Sequence, residues 1–131
     1  MAETDGARDG RVLMQQDGRT GLLNAISTEM VRLYKEQFGR GPTSSRTHWC
    51  GDDILMVVLE DTFTPAERNL AAMGEHQRLR DVRLFFQYAS EEQLIGIVEA
   101  ILGRRVRAFI SGLDARRDVS AEVFALEPRQ A

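Results

Sequence analysis

Two short runs gather residue types that can do chemistry. In Gly39-Arg40-Gly41-Pro42-Thr43, two glycines allow close backbone approach while a guanidinium and a hydroxyl supply donors, the ingredients of an anion site. The same five residues also describe a helix stop. Glycine accepts the left-handed backbone that ends a helix, and proline drives the residue before it out of helical geometry. A phosphate loop of the Walker type needs wider glycine spacing, a lysine and a following helix, whereas a strand-like run follows here. The second run is Thr64-Pro65-Ala66-Glu67-Arg68. Glu67 is a candidate acid or base, but Thr64 with Glu67 three residues on is a capping box, and Pro65 suits the first helical position. Capping already accounts for that carboxylate. The candidate ligand- or partner-binding residues are therefore Gly39, Arg40, Gly41, Pro42, Thr43, Thr64, Pro65, Glu67 and Arg68, and none is assigned as catalytic.

Other combinations fall short of a site. His48 and Cys50 lie two apart on a strand and share a face, which is half of a metal site, and His76 lies at a helix start. Cys50 as a nucleophile would need His48 as its base, but same-face strand neighbours point parallel rather than converge. No metal and no cofactor are expected. The arginine groups Arg78, Arg80 and Arg83, Arg104, Arg105 and Arg107, and Arg116 and Arg117 would suit an acidic partner. Interleaved with Glu75, Asp81 and Glu99, they read as a solvated face. Trp49 and Phe109 would stack bases on a sheet, but the aromatic motifs of an RNA-recognition sheet are absent, and core or dimer packing is the simpler account.

These residues must be held by a small set of elements. From Thr20 to Phe38, Leu22, Leu23, Ile26, Met30, Leu33, Tyr34 and Phe38 recur at helical spacing. Residues 43 to 50 suit an edge strand, Gly51-Asp52-Asp53 a turn, and the apolar run Ile54 to Leu59 a central strand covered on both faces. A short helix begins at Pro65, burying Ala66, Leu70 and Met73, and ends by Gly74. A helical pattern marked by Leu79, Val82, Phe85, Phe86, Leu94, Ile97, Val98 and Ile101 then runs from about 75 to 102, and Ser90 with Gln93 offers a restart. Unbroken, it would span about 42 Å and overhang a small domain. Strands follow at 104 to 111, with Val106, Ala108 and Ile110 on one face, and at 119 to 126. The predicted fold is α+β, a two-layer sandwich of order α-β-β-α-α-β-β. Its four-stranded, mainly antiparallel sheet is made of two hairpins, with helices on one face. The other face keeps apolar residues, including Phe109 or Phe124, and points to a homodimer or a bound partner. Residues 1–17 are expected as a mobile tail, 18–128 as one domain and 129–131 as a C-terminal tail.

Composition narrows the classes. With 131 residues, 43% hydrophobic and 28% charged, the chain suits one soluble domain. With 17 basic against 20 acidic residues, its net charge of −3 gives no electrostatic reason to gather nucleic acid. A single cysteine fits a cytoplasmic setting. No apolar run reaches the roughly 18 residues of a spanning helix, and MAETDGARDGRVLMQQDG lacks the apolar region of a signal peptide, so any membrane role is expected to be peripheral.

The ordered set "MVRLYKEQFGRGPT", "ILMVVLEDTFTPAERNL", "VEAILGRRVRAFISGLD" and "AEVFALEP" resembles the MpsC-like family over about residues 20 to 128. The resemblance implies a small soluble protein without established catalytic residues. The family is named for a component of a sodium-translocating, membrane-potential-generating system. By similarity, the family turn maps to Gly39 through Thr43, a second motif to Thr64, Pro65, Glu67 and Arg68, and a third to Gly103, Arg104 and Val106, with Arg105 where lysine is more usual. The expected function is a non-enzymatic accessory or regulatory module, homodimeric, with a membrane-protein partner in a cation-translocating or potential-generating system. The alternative is a protein that binds a small anionic ligand, or a simple enzyme, with its site at the Arg40 turn.

Overall fold

The computed structural model describes residues 6–129, with side chains from residue 20 onward. The first helix, α1, spans Gly6–Phe38, and Ile26, Met30 and Tyr34 form its buried stripe. Of the predicted tail, residues 1–5 lie outside the described residues and residues 6–17 form the opening turns of α1. The helix stops where Gly39 takes φ 80° and donates its N–H to the Lys35 carbonyl at 2.8 Å. Gly41 is a glycine for a different reason: a Cβ there would lie 3.2 Å from Val31 Cγ1, so the returning chain could not pass as closely over α1.

Strands β1 (Ser44–Trp49) and β2 (Ile54–Glu60) form an antiparallel hairpin. Three helices follow, α2 (Pro65–Ala72), α3 (His76–Ala89) and α4 (Glu91–Leu102), then β3 (Val106–Asp114) and β4 (Val119–Leu126). The long helical pattern is thus two helices divided at Ser90, which adds one helix to the predicted order. The sheet order is β1-β2-β4-β3, antiparallel throughout, so the α+β class stands with β2 and β4 at its centre.

The helices lie on one face of the sheet. Ile26, Met30 and Tyr34 meet Leu55, Val57 and Leu59 of β2, Leu94 and Val98 of α4, and Phe124 and Leu126 of β4. A smaller cluster of Phe63, Leu79 and Ala115 sits apart. Which face each strand turns inward departs from simple expectation. On β4 the buried set is Ser120, Glu122, Phe124 and Leu126, leaving the Val119, Ala121, Val123 and Ala125 set on the open face. On β3 a register shift between Val106 and Ala108 breaks the predicted alternation, so Val106 packs against the core beside Phe109 while Ile110 stays 60% exposed on the open side. Phe109 and Phe124 both lie on the helix side, their ring centroids 5.3 Å apart.

Candidate functional site: a saturated junction and an open sheet face

The sequence motifs converge on the four residues that carry the chain from β2 into α2. Asp61 leaves the strand with φ 60°, a left-handed conformation that is costly for a residue with a side chain and needs its surroundings to hold it. Its N–H donates to the Asp118 carbonyl at 3.1 Å. The Asp118 carboxylate accepts from Thr62 N and Phe63 N, both at 2.9 Å, and Glu67 Oε1 accepts from Thr64 N at 2.9 Å. On the carbonyl side, Arg40 Nη1 donates to Asp61 O at 2.8 Å and Phe63 O at 2.9 Å, while Arg83 Nη2 donates to Thr62 O at 2.7 Å. Every N–H from Asp61 to Thr64 and every carbonyl from Asp61 to Phe63 is therefore engaged. This junction is a latch with its backbone valences filled.

Three arginines hold that latch. Arg40 also donates to Asp61 Oδ2 at 3.0 Å and Arg68 to Asp61 Oδ1 at 3.1 Å, and the Arg40 hydrogen bond holds Asp61 below the usual carboxylate range. Arg40 does not reach Glu67. That carboxylate belongs to Arg83, whose Nε and Nη2 form a fork of two 2.7 Å bonds to it. Burial pushes Glu67 up, but its hydrogen bonds from Arg83 and Thr64 outweigh burial and leave it lowered. The capping box is present as well, with Thr64 Oγ1 accepting from Glu67 N at 3.2 Å. Arg83 is fully buried and lies 3.7 Å from the centroid of the Phe38 ring. In the sequence Arg83 reads as part of a solvated basic group, and only its helical spacing from the buried Leu79 and Gln87 hints otherwise.

Deeper in the core is a second polar feature. Tyr34 donates its hydroxyl to Glu122 Oε2 at 2.7 Å, and burial pushes the Glu122 carboxyl up to about 7. Gln87 Nε2 donates to Ser111 Oγ, and Ser111 stands opposite Glu122 in the β3/β4 ladder. Glu122 Oε1 and Gln87 Oε1 are buried without a partner. Burial favours the protonated carboxyl and outweighs the hydrogen bonds from Tyr34 and Ser111, which favour the carboxylate.

The remaining candidates do not assemble. His48 and Cys50 are exposed at and just beyond the end of β1, and no cluster of three metal-ligating side chains occurs among the described residues. Trp49 packs on the helix side, as Phe109 does, so neither offers a stacking platform on the open sheet face. Arg104 binds the Asp53 carboxylate at 2.7 Å and the Asp52 and Glu127 carbonyls, tying the β1–β2 turn to the end of β4. What stays open is the outer face of the sheet, where Met56 and Val58 meet Ala121 and Val123, with Ile110 beside them.

The architecture is that of an open-faced α+β sandwich whose sequence motifs serve its own backbone. The chain belongs to the MpsC family, described as Na+-translocating membrane potential-generating system (MpsC), whose model matches residues 19–128. Neither a curated protein nor a solved structure matches it. Among the described residues, no helix is long and apolar enough to cross a membrane.

Proposed function

We propose that this protein is a non-enzymatic accessory or regulatory module. It works as a homodimer paired through its open sheet face, cytoplasmic and peripheral to the membrane, and serves a cation-translocating or potential-generating membrane system. The observation that carries this reading is the uncovered apolar face formed by β2, β4 and Ile110. The whole outer face, including the polar Arg46 and His48 of β1 at its rim, is four strands of 6 to 9 residues about 4.8 Å apart and covers roughly 500 Å². Two such faces bury about 1,000 Å², the lower bound for a specific interface. The family description supports a membrane partner. The family-motif residues Gly39 to Thr43, Thr64, Pro65, Glu67 and Arg68 enter as the latch that fixes the β2–α2 junction. With Arg40 committed to Asp61 and Phe63, nothing favours a ligand at that turn.

Sedimentation of the purified protein tests the first half. A dimer at micromolar concentration is expected, and Val123→Glu should convert it to monomer with its helix content intact. A wild-type monomer would end the reading. Capture of a defined membrane protein from solubilised native membranes tests the second half.

A further inference from the structure

The polar layer between α3 and the sheet holds a carboxyl group that the latch does not use. Glu122 is fully buried on the central strand β4, and while Tyr34 of α1 donates to its Oε2 at 2.7 Å, its Oε1 has no partner. Opposite it in the ladder stands Ser111 of β3, which accepts from Gln87 of α3, and Gln87 Oε1 is also buried without a partner. The cavity bounded by Tyr34 and Gln87 measures about 10 Å³, room for no more than one water. A neutral carboxyl is tolerated in such a place. An ionised one has no solvent to share its charge.

The groups around it offer no counter-charge. From α1 comes the Tyr34 hydroxyl, and from α3 come the neutral Gln87 and, acting on Tyr34, the Arg83 guanidinium that is forked to Glu67 of α2. Val57 of β2 and Ser111 of β3, the ladder neighbours of Glu122, carry no charge, and Leu94 and Val98 of α4 in the same core are apolar. Ionised Glu122 is therefore relieved only by letting water in.

Which wall gives way follows from how each helix is anchored. Besides Tyr34, α1 places Ile26 and Met30 in the apolar cluster with β2, α4 and β4, and that cluster contains no residue of α3. Helix α3 meets the sheet through Gln87 and Tyr88, both on Ser111, and through Leu79 in the small cluster with Phe63 and Ala115. Undocking α3 gives up less apolar burial than lifting α1, and it uncovers the layer that holds the unpartnered oxygens.

We propose that Glu122 is the catch of a pH-sensitive clasp, whose ionisation undocks α3 from β3 while α1, α4 and the sheet stay assembled. The clasp lies on the helix side of the sheet and does not rest on the sheet-face dimer. Its sign follows from linkage: the docked state holds the proton more tightly than the open state, so opening is favoured as pH rises. With the carboxyl at about 7 when docked and 4.5 when open, the opening equilibrium should rise about thirtyfold between about pH 5.5 and 8.5.

Amide hydrogen exchange of the full chain tests it, measured at several pH values and low denaturant concentrations and corrected for intrinsic exchange rates. The α3 amides should exchange through an opening with a shallower denaturant slope than the β2 amides show, and its equilibrium should carry the thirtyfold rise. Glu122→Gln should leave that opening independent of pH. Tyr34→Phe removes a hydrogen bond that favours the carboxylate and should move the rise to higher pH, which gives a second reading if Glu122→Gln does not fold. The proposal is overturned if the α3 amides exchange only with global unfolding, at the β2 slope, or if the pH-dependent opening appears in α1 instead. It is equally overturned if the pH dependence survives Glu122→Gln or if Tyr34→Phe leaves the rise where it was.

Discussion

Helices α4 and α3 follow one another across Ser90 and both pack against β3, yet they use the sheet in opposite ways. On α4 the buried residues are Leu94 and Val98, joined to the apolar core of α1, β2 and β4. On α3 they are Leu79, Arg83 and Gln87, while Phe85 and Phe86 point outward and Tyr88 turns to Ser111 and Phe109 of β3. The α4 half follows ordinary segregation, in which burial of apolar area drives assembly. The α3 half buries polar groups that are hydrogen-bonded except at Arg83 Nη1 and Gln87 Oε1, and such groups specify an arrangement more than they drive it. A buried ion pair is weak evidence for stability, but breaking one leaves an uncompensated charge.

The largest effect expected from this contrast is at Arg83. Arg83→Ala strands the Glu67 carboxylate and the Thr62 carbonyl and should cost about 3 to 5 kcal/mol, read as a fall in the denaturant midpoint at constant slope. Combining Arg83→Met with Glu67→Gln should recover much of that loss, since it removes both charges while keeping volume. If Arg83→Ala proved as mild as a surface substitution, the α3 half would not depend on its polar core.

Glu122 gives the next effect, and its sign is distinctive. Its carboxyl is raised by burial from an ordinary value of 4.5 to about 7 in the folded state. The folded protein therefore binds more protons than the unfolded chain between those values, so stability is fully present below pH 4.5 and declines as pH rises through 7. The loss across that window is about 3 kcal/mol. Glu67, Asp61 and Asp114 are lowered and act in the opposite sense, losing their contributions only in more acidic solution. The groups around Glu122 are Tyr34 from α1, Gln87 from α3, with the Arg83 charge acting on Tyr34, and Ser111 from β3. Glu122→Gln should flatten the slope of stability between pH 5 and 7. An unchanged slope would mean that another group carries the titration.

A milder test concerns the latch. Thr64→Ala removes the acceptor for Glu67 N and should cost about 1 kcal/mol. Arg40→Ala should also lower the midpoint, less than Arg83→Ala does, because water can reach the carbonyls it frees. A loss at Arg40 equal to that at Arg83 would merge the two arginines into one cooperative unit.

The α4 half was legible in sequence and the α3 half was not, for physical reasons. Periodicity located both helices, and the capping box at Thr64 and Glu67 is a local pattern that local rules can read. But Val82, Phe85 and Phe86 share the apolar stripe with Leu79, so pattern alone turns all four inward, whereas Arg83 bound to Glu67 and Gln87 and Tyr88 bound to Ser111 hold the helix in a different rotation. The capping role of Glu67 was sufficient by itself and hid its second partner. The alternation of β4 was equally plain, but which set faces the helices depends on Tyr34 meeting Glu122 from 88 residues away. The sequence points to an open sheet face in kind, but it expects Phe109 or Phe124 there and both lie on the helix side.

The smallest expected effect is at Val82 on α3, and it separates the two halves most cleanly when the same substitution is made at Val98 on α4. Val98 is fully buried on α4, and Val98→Ala removes two methyl groups from a packed core, at a cost of about 2 kcal/mol once the residual void is included. Val82 occupies the exposed stripe of α3, where Val82→Ala loses little packing and gains a few tenths of a kcal/mol in helix propensity. The purified monomeric form, for example with Val123→Glu present in both, should therefore show a lower midpoint for Val98→Ala and an equal or slightly higher one for Val82→Ala. Equal losses at the two positions would mean that the outward face of α3 is held by the domain itself, and the contrast between the two helices would fail.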